Sequence, residues 1–299
     1  GPVMLKRLRE AFNSVTELHR AGLEYAALAT TWPIIKDKLP KGDGHPVIFF
    51  PGFLTSDVFT YPLQTRVEEK GYKIYGWDNG FNMGFDEKTA AHLKKRLKDV
   101  FDANGGQKVT LVGHSLGGIY ARELAREFPD MVRDVITLGT PVGSLDDTAK
   151  ATSEHLKNLY GFFNPSSVHD DIADIGARGL TPPSVPTTSL FSRNDGVVNP
   201  QATLNPKTPL TENIEVYGSH MGMTVNALTA AAVLDRLAQK EGEWQPFDKS
   251  KYPMLPWPKG VDDAELPANP AWQAGKATPS LFDGIKKPKA PPGPKAPKA

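Results

Sequence analysis

The chain of 299 residues is long enough for one large domain or two small ones. Basic and acidic residues nearly cancel, leaving a formal net charge of +1, so no overall field favours nucleic acid as a specific partner. Cysteine is absent, which excludes disulfides, thiolate metal sites and a cysteine nucleophile. No apolar run approaches the roughly 18 residues of a membrane span, and a cytoplasmic location is the default expectation.

Residues 3–45 are predicted to form a helical extension. Leu5, Leu8 and Phe12 recur at helical spacing, and Pro33 is expected to break or kink the helix. The apolar stripe is accompanied by the basic residues Lys6, Arg7 and Arg9. The helix either packs on the main domain or contacts an anionic or apolar surface such as a membrane or polymer granule.

From residue 46 onward short β-rich runs alternate with helical stretches. The predicted strands span residues 47–50, 72–75, 109–112, 135–138, 188–191 and 214–217. The predicted helices between them span residues 62–70, 86–103, 116–128 and 221–239. This alternation predicts an α/β domain over residues 46–247, with a mostly parallel sheet and helices on both faces.

Two segments interrupt or follow this pattern. Residues 143–186 are too long for a simple connection and contain an apolar cluster, which predicts a cap or lid insertion, with extra helical packing as the alternative. Residues 248–299 form a Pro-rich C-terminal extension. Its last part, 286–299, contains only Lys, Pro, Ala and Gly, which predicts a disordered basic tail. That tail is either a solvated terminus or an electrostatic tether.

The strongest chemical signal is the run Gly113-His114-Ser115-Leu116-Gly117, which follows a predicted strand and opens a predicted helix. A serine between glycines in this setting is typical of a nucleophile elbow, a sharp turn that exposes the serine oxygen above the sheet. The glycines relieve the crowding that bulky side chains would cause there. The backbone N–H of Leu116 would then face a developing oxyanion at a helix N-terminus.

A serine hydroxyl is a poor nucleophile until a base removes its proton, so a histidine and an orienting carboxylate are expected after Ser115. At a nucleophile elbow the order along the chain is serine, acid, histidine. His220 follows the last predicted strand, whereas His155 and His169 fall in the predicted insertion. Asp195 directly follows a predicted strand and is the preferred acid. The less favoured acidic residues lie in the insertion: Asp170, Asp171 and Asp174.

The second oxyanion donor is expected in the loop after the first strand of the sheet. There Gly52 permits a tight turn, and the N–H of Phe53 is the predicted donor, although an ordinary strand-end turn is the alternative. The predicted apolar substrate contacts are Leu54, Leu159, Phe162 and Phe163. The polar cluster Asn79, Asn82 and Gly84 is interpreted as turn chemistry, with a role in the wall of the site as the alternative.

With these residues in place, residues 46–247 resemble a bacterial lipase and esterase family of the α/β-hydrolase superfamily. The likeness is carried by residues 45–53, 76–84, the Ser115 elbow, 137–141, Asp195-Gly196, Gly218-Ser219-His220 and 244–247. Pro51 departs from the pattern, because many relatives carry a histidine before the glycine of the oxyanion loop. A backbone donor at Phe53 survives that change.

The residues and the resemblance together predict a serine hydrolase of esterase or lipase type, acting on a small-molecule, lipid or polyester ester. No cofactor or metal is expected to take part, since the acidic pairs lack the spacing of a metal loop. Two alternatives stay open. The same three residues would also serve an acyltransferase, and a membrane- or granule-binding protein would carry them as a vestigial site.

Overall fold

The computed structural model describes residues 2–142 and 181–266. Within these residues the strands form one six-stranded sheet, and every neighbouring pair is parallel. In chain order the strands are β1 (Pro46–Phe50), β2 (Lys73–Tyr75), β3 (Val109–His114), β4 (Val132–Leu138), β5 (Thr187–Phe191) and β6 (Thr211–Glu215). Their spatial order is β2-β1-β3-β4-β5-β6. The predicted α/β architecture with a parallel sheet is confirmed.

Helices cover both faces of the sheet. The helices of the described residues are α1 (Pro2–Val15), which packs on α2 rather than on the sheet, α2 (Glu17–Ile35), α3 (Asp57–Glu69), α4 (Glu87–Ala103), α5 (Leu116–Glu127) and α6 (Ala227–Leu237). Successive side chains of a strand point to opposite faces, and β1 shows the consequence. Val47 and Phe49 pack in the apolar cluster of α2, α3 and α6, whereas Ile48 and Phe50 pack in the cluster of α4 and α5. A strand buried on both faces therefore needs a continuous apolar run.

The parallel arrangement brings the carboxyl ends of all six strands to one edge of the sheet. The strand order reverses around β1, which has β2 on one side and β3 on the other. Ligands of open α/β sheets bind at such a carboxyl edge. The loops that follow β1, β3, β5 and β6 carry the residues singled out from the sequence, so these residues share one edge.

The N-terminal segment differs from the single helix that was predicted. It forms two helices, which are interrupted at Thr16 rather than at Pro33. The Thr16 hydroxyl donates to the carbonyl of Phe12 at 2.7 Å, a contact that bends helices because it competes with the backbone. Pro33 lies inside the last turn of α2, which continues to Ile35. The segment packs on the domain through Leu28 and other buried apolar residues.

Several other boundaries were predicted wrongly, including the start of β4, which lies at Val132 rather than at residue 135. Helix α3 begins at Asp57 rather than at Pro62, and the carboxylate of Asp57 accepts hydrogen bonds from the N–H groups of Trp77 and Asp78. Strand β6 begins three residues and ends two residues earlier than predicted, because its polar residue Glu212 is partly buried and pairs with Arg236. The last helix begins only at Ala227, since Asn226 caps it and residues 221–225 form a 3-10 turn.

Between α6 and residue 266 the chain forms only short 3-10 turns, and three aromatic residues of this segment pack on the domain. Phe247, Tyr252 and Trp257 pack together, and the Tyr252 hydroxyl donates to Asp235 of α6. The predicted cap over 143–186 and the basic tail over 286–299 fall mainly or wholly outside the described residues. Within the residues that are described, no helix combines the length and the apolar character needed to cross a bilayer.

Candidate active site

Ser115 lies between the end of β3 and the start of α5, with φ 53° and ψ −120°. A residue with a side chain is strained in this left-handed region. The N–H of Ser115 donates to the carbonyl of Leu138 on β4 at 2.8 Å. Its own carbonyl accepts from the N–H of Gly118 at 2.9 Å and from the hydroxyl of Thr140 at 2.8 Å. Hydrogen bonds from strand and helix thus hold the strained turn.

The glycines around Ser115 allow backbone to meet backbone. A Cβ at Gly113 would overlap the backbone of Gly117 and Gly118, and a Cβ at Gly117 would overlap the carbonyl of Phe50. Helix α5 therefore starts directly against the ends of β1 and β3. Larger residues at these positions would push the helix, and with it the serine, away from the sheet.

Asp195 and His220, which are separated by 25 positions in the chain, meet at the carboxyl ends of β5 and β6. Asp195 Oδ2 lies 2.8 Å from Nδ1 of His220, and both side chains are buried. The other oxygen, Oδ1, accepts from the N–H groups of Val197 and Val198, each at 2.8 Å. Because a carboxylate only accepts, Nδ1 carries the proton toward Asp195, and Nε2 of the neutral ring is the free acceptor nitrogen.

The charges around His220 favour its protonated form. Burial of the ring lowers the pKa of His220, but the charge of Asp195, the hydrogen bond to Asp195 and the charge of Glu17 act in the opposite direction. The pKa therefore lies above the ordinary value of a histidine. Such an arrangement stabilises an imidazolium that forms during a reaction.

Ser115 and His220 lie in the same cluster but are not hydrogen-bonded to each other. Gly139 connects their surroundings, because it directly follows Leu138, whose carbonyl accepts from the N–H of Ser115. The backbone of Gly139 has a positive φ of 56°. A Cβ on Gly139 would lie 3.1 Å from Nδ1 of His220 and 3.2 Å from Oδ2 of Asp195. Catalytic hydrogen bonds are often long without substrate and tighten when it binds.

His114, next to the serine, supports the His220 loop. Its Nε2 lies 2.8 Å from the backbone carbonyl of His220, and the two rings are 4.9 Å apart between centroids. Burial, together with the charge of His220, lowers the pKa of His114 to about 3, so its ring is neutral. Since the carbonyl accepts, Nε2 is the protonated nitrogen, which leaves the buried Nδ1 without a hydrogen-bond partner.

The two predicted oxyanion donors lie on different elements. Leu116 is the first residue of α5, and the first N–H groups of a helix have no partner within it. Phe53 lies in the loop after β1, where the next residue, Leu54, adopts a positive φ of 61°. Gly52 brings this loop against the elbow, since a Cβ there would lie 3.3 Å from the Cβ of Ser115.

Asn82 holds this loop, whereas sequence analysis interpreted it as turn chemistry, with a role in the wall of the site as the alternative. Its side chain donates to the carbonyl of Pro51 at 2.9 Å and accepts from the hydroxyl of Tyr120 at 2.9 Å. Its backbone carbonyl accepts from the N–H of Leu54 at 2.7 Å, and its N–H donates to Thr55 at 2.8 Å. Asn82 is fully buried. An Asn in a polar cluster gives no sequence signal that distinguishes this role from an ordinary turn.

Of the predicted substrate contacts, only Leu54 belongs to the described residues. It is exposed, as are Phe81 and Met83 on either side of Asn82. Leu159, Phe162 and Phe163, and the less favoured His155, His169 and the acidic residues of the insertion, lie outside the described residues. Within 2–142 and 181–266, no group of three or more His, Asp or Glu side chains is placed to hold a metal ion.

Two acidic residues of α2, Glu17 and Glu24, contact the loop that carries His220, and sequence analysis did not predict them. Glu17 accepts from the N–H of His220 at 2.9 Å, and Glu24 accepts from the hydroxyl of Ser219 at 2.5 Å. Their partners in this loop lie 195 or more positions further along the chain, so no local pattern marks Glu17 and Glu24.

Comparison with known proteins identifies the fold. Residues 45–165 match the family model of the alpha/beta hydrolase fold. A lipase of Bacillus licheniformis in its mature form aligns with a TM-score of 0.50 at 18% identity, over 66% of this chain and 94% of that chain. The chain has the α/β-hydrolase fold. The fold expected from the resemblance is therefore confirmed.

Two curated relatives of this α/β-hydrolase-fold protein are triacylglycerol lipases, one from Pseudarthrobacter phenanthrenivorans and one from Burkholderia plantarii. Each is 36% identical over 110 residues, which is 32% of this chain. The aligned part is 33% of the first relative and 29% of the second, so the chain spans about a third of their length. The predicted resemblance to bacterial lipases and esterases is confirmed.

We expect Gly113→Ala to destabilise the protein by about 1–3 kcal/mol, because its Cβ would overlap backbone that cannot move without shifting α5. Denaturant unfolding measures the change. Gly22→Ala on α2 is the control, since a Cβ there meets nothing within 4 Å. It should leave stability unchanged or raise it by up to about 1 kcal/mol. Equal midpoints for Gly113→Ala and the parent would contradict the described packing of the elbow.

Proposed function

We propose that the protein is a serine hydrolase of esterase or lipase type that cleaves carboxylic esters through an acyl-enzyme on Ser115. The observation that carries the proposal is the buried pair of Asp195 and His220, 2.8 Å apart, in the same cluster as the strained serine turn. The likeness to triacylglycerol lipases supports an ester as the substrate.

In the first half of the proposed cycle, Ser115 Oγ attacks the ester carbonyl carbon while its proton passes to Nε2 of His220. The carbonyl oxygen becomes an oxyanion, which accepts hydrogen bonds from the N–H groups of Phe53 and Leu116. Asp195 keeps the ring in the tautomer that this step needs and stabilises the imidazolium. His220 then gives its proton to the leaving alcohol oxygen, the ester C–O bond breaks, and the acyl group stays on Ser115.

In the second half, water takes the place of the alcohol. Its proton passes to His220 Nε2 as its oxygen attacks the acyl carbon, and the same two N–H groups hold the second oxyanion. His220 returns the proton to Ser115 Oγ, the acyl bond to the serine breaks, and the carboxylic acid leaves. Because the cycle starts from neutral His220, the rate falls at acidic pH as the ring takes up a proton.

The side chains around the loop after β1 favour an apolar substrate. Leu54 is 43% exposed, and Phe81 and Met83 are 62% and 52% exposed. Exposed apolar groups beside a reactive centre suit the hydrocarbon part of an ester, and we propose a lipid or polyester chain there. Leu159, Phe162 and Phe163 remain the predicted contacts from the insertion.

Ser115→Ala should lower kcat/KM by roughly three or more powers of ten, because the hydroxyl that forms the acyl-enzyme is lost. The measurement uses p-nitrophenyl esters from short to long acyl chains. Ser250→Ala, at an exposed serine of the C-terminal segment, is the matched control and should retain the parent rate. Full activity of Ser115→Ala would exclude the proposed mechanism, and the chain-length optimum distinguishes an esterase from a lipase.

We further propose that α1 contacts an anionic lipid surface. Its apolar residues Leu5, Leu8, Phe12 and Val15 are between 58% and 82% exposed and follow one helical stripe. The basic residues Lys6, Arg7 and Arg9 accompany them, while Glu10 is the acidic residue of the helix. A helix with an apolar stripe and basic flanks binds in the plane of an anionic interface.

Cosedimentation with phosphatidylglycerol vesicles tests this contact. Replacing Leu8 and Phe12 by Ser should weaken binding roughly tenfold or more, since full burial of one such side chain is worth about 1.5–3 kcal/mol. Val58→Ser on α3, at a valine that is 76% exposed, should bind like the parent. Phosphatidylcholine vesicles should bind less protein. A parent that stays in the supernatant with both vesicles would refute the contact.

A further inference from the structure

Beyond the three proposed catalytic residues, the loops of the acid and the base meet at a single side chain of α2. We propose that Glu17 is a positioning residue, whose carboxylate holds Asp195 and His220 in register for the reaction. The inference rests on the proposed function, because it assigns a role within the same site. Glu17 lies before residue 45, where the match to the family model begins.

The contacts of Glu17 join two segments that are distant in the chain. Oε1 accepts from the N–H of Gly196, directly after the acid, at 2.7 Å, and from the N–H of His220 itself at 2.9 Å. Oε2 accepts from the N–H of Met221 at 3.1 Å. One carboxylate therefore fixes the backbone on both sides of the bond between Asp195 and His220. Only 6% of Glu17 is exposed, so water does not replace these contacts readily.

Arg20 completes the arrangement one turn further along α2. Its Nη2 donates to Oε1 of Glu17 at 3.2 Å and to the carbonyl of Asn13 at 2.7 Å, while Nη1 donates to the carbonyl of Asn194 at 2.9 Å. The guanidinium partly offsets the charge of the buried carboxylate and binds the residue before Asp195. The acid loop is thus held from α2 on both sides of the aspartate.

The fit of the acid loop against the N-terminal helices is close. A Cβ at Gly196 would lie 2.5 Å from the carbonyl carbon of Asn13 and 2.8 Å from the N of Ser14. Only glycine at this position lets the backbone of the loop touch the end of α1 and leaves its N–H directed at Glu17. The backbone of the acid loop therefore packs directly against the backbone at the end of α1.

Glu24 holds the other part of the His220 loop in the same way. Its carboxylate accepts from the N–H of Ser219 at 3.1 Å, from the hydroxyl of Ser219 at 2.5 Å and from the side chain of Asn226 at 2.8 Å. Asn226 in turn caps α6. A Cβ at Gly218 would lie 2.6 Å from Glu24, so the loop has room for this carboxylate only because glycine stands there.

A loop of this kind needs such partners for a physical reason. The 3-10 turn Met221–Val225 follows His220, and the N–H groups at the start of a helix or turn lack partners within it. Carboxylates satisfy such groups well because the hydrogen bonds are charge-assisted. Glu17 thereby fixes the position of the His220 backbone before substrate binds. Pre-organised geometry of this kind contributes directly to the reaction rate.

Glu17 also acts on His220 through its charge. The ionisable groups around the ring are Asp195 from the β5 loop, His114 from β3, and Glu17, Arg20 and Glu24 from α2. Although burial lowers the pKa of His220, the charges of Asp195 and Glu17 both raise it. Replacing Glu17 by a neutral residue should therefore lower the pKa of His220. A helix that only stabilised the fold would leave this pKa unchanged.

The test compares Glu17→Gln with the matched control Glu10→Gln, an acidic residue of α1 whose side chain is 63% exposed. The pH dependence of kcat/KM is measured with a p-nitrophenyl ester, and thermal unfolding reports the folded fraction. We expect Glu17→Gln to lower kcat by about ten- to a hundredfold, the loss typical of a small misplacement, and to move the acidic limb to lower pH. Glu10→Gln should match the parent in both respects.

A folded Glu17→Gln variant with the parent kcat and acidic limb would overturn the inference. So would a loss of rate that merely follows the unfolded fraction, with the limb unmoved. If Glu17→Gln does not fold, Glu17→Asp serves instead. This variant keeps the negative charge but has a shorter side chain, so kcat should fall while the acidic limb of the pH profile stays at the parent position. A Glu17→Asp variant with the parent kcat would also overturn the inference.

Proton NMR titration of His220 separates this inference from the proposed function. The titration needs no substrate, so the pKa of His220 should fall in Glu17→Gln even if the protein does not hydrolyse esters. An unchanged titration in the folded variant counts against Glu17. A parent without Ser115-dependent esterase activity counts against the proposed function.

Discussion

The buried hydrogen bond between Asp195 and His220 is the interaction on which the proposed chemistry depends. It sets the tautomer of His220, since Nδ1 must face the carboxylate at 2.8 Å and Nε2 is then the acceptor nitrogen. It also offsets the cost of placing a ring that must become charged in a buried position. The parallel sheet makes this meeting feasible, because β5 and β6 are neighbours and deliver both residues to the same edge.

Each group of the proposed site is held by a residue from another part of the chain. The serine turn is held by Leu138 and Thr140, and the loop after β1, which carries the proposed oxyanion donor Phe53, is held by Asn82. Glu17 of the N-terminal helices contacts the loops of the acid and the base. The sheet therefore provides the approximate location of the site, and hydrogen bonds between its loops and the neighbouring segments provide the final geometry. The N-terminal extension, which the α/β-hydrolase match does not include, packs against the site rather than beside the domain as an independent element.

Much of the fold could be predicted from the sequence, because its signals are local. The runs at β1 and β3 are apolar and bounded by Gly or Pro, and the glycines around Ser115 mark the turn between β3 and α5. Strand β6 was misplaced because the charge of Glu212 is paired with Arg236, a partner that no local pattern shows. The break at Thr16 depends on one hydroxyl that bonds its own helix. Glu17 was not predicted to contact the site, and Asn82 was interpreted as turn chemistry with a role in the wall of the site as the alternative, because the contacts of both residues are with backbone groups distant in the chain. The residues of the insertion named as substrate contacts stay predictions.

Covalent labelling with a fluorophosphonate tests the central claim most directly, because the reagent forms a Ser–O–P bond, with loss of fluoride, only where a base activates a serine. The account predicts one label per chain, located on Ser115 by peptide mass spectrometry, and a much slower reaction in His220→Ala. Labelling of a different residue, or an undiminished rate on Ser115 after removal of the His220 ring, would contradict it.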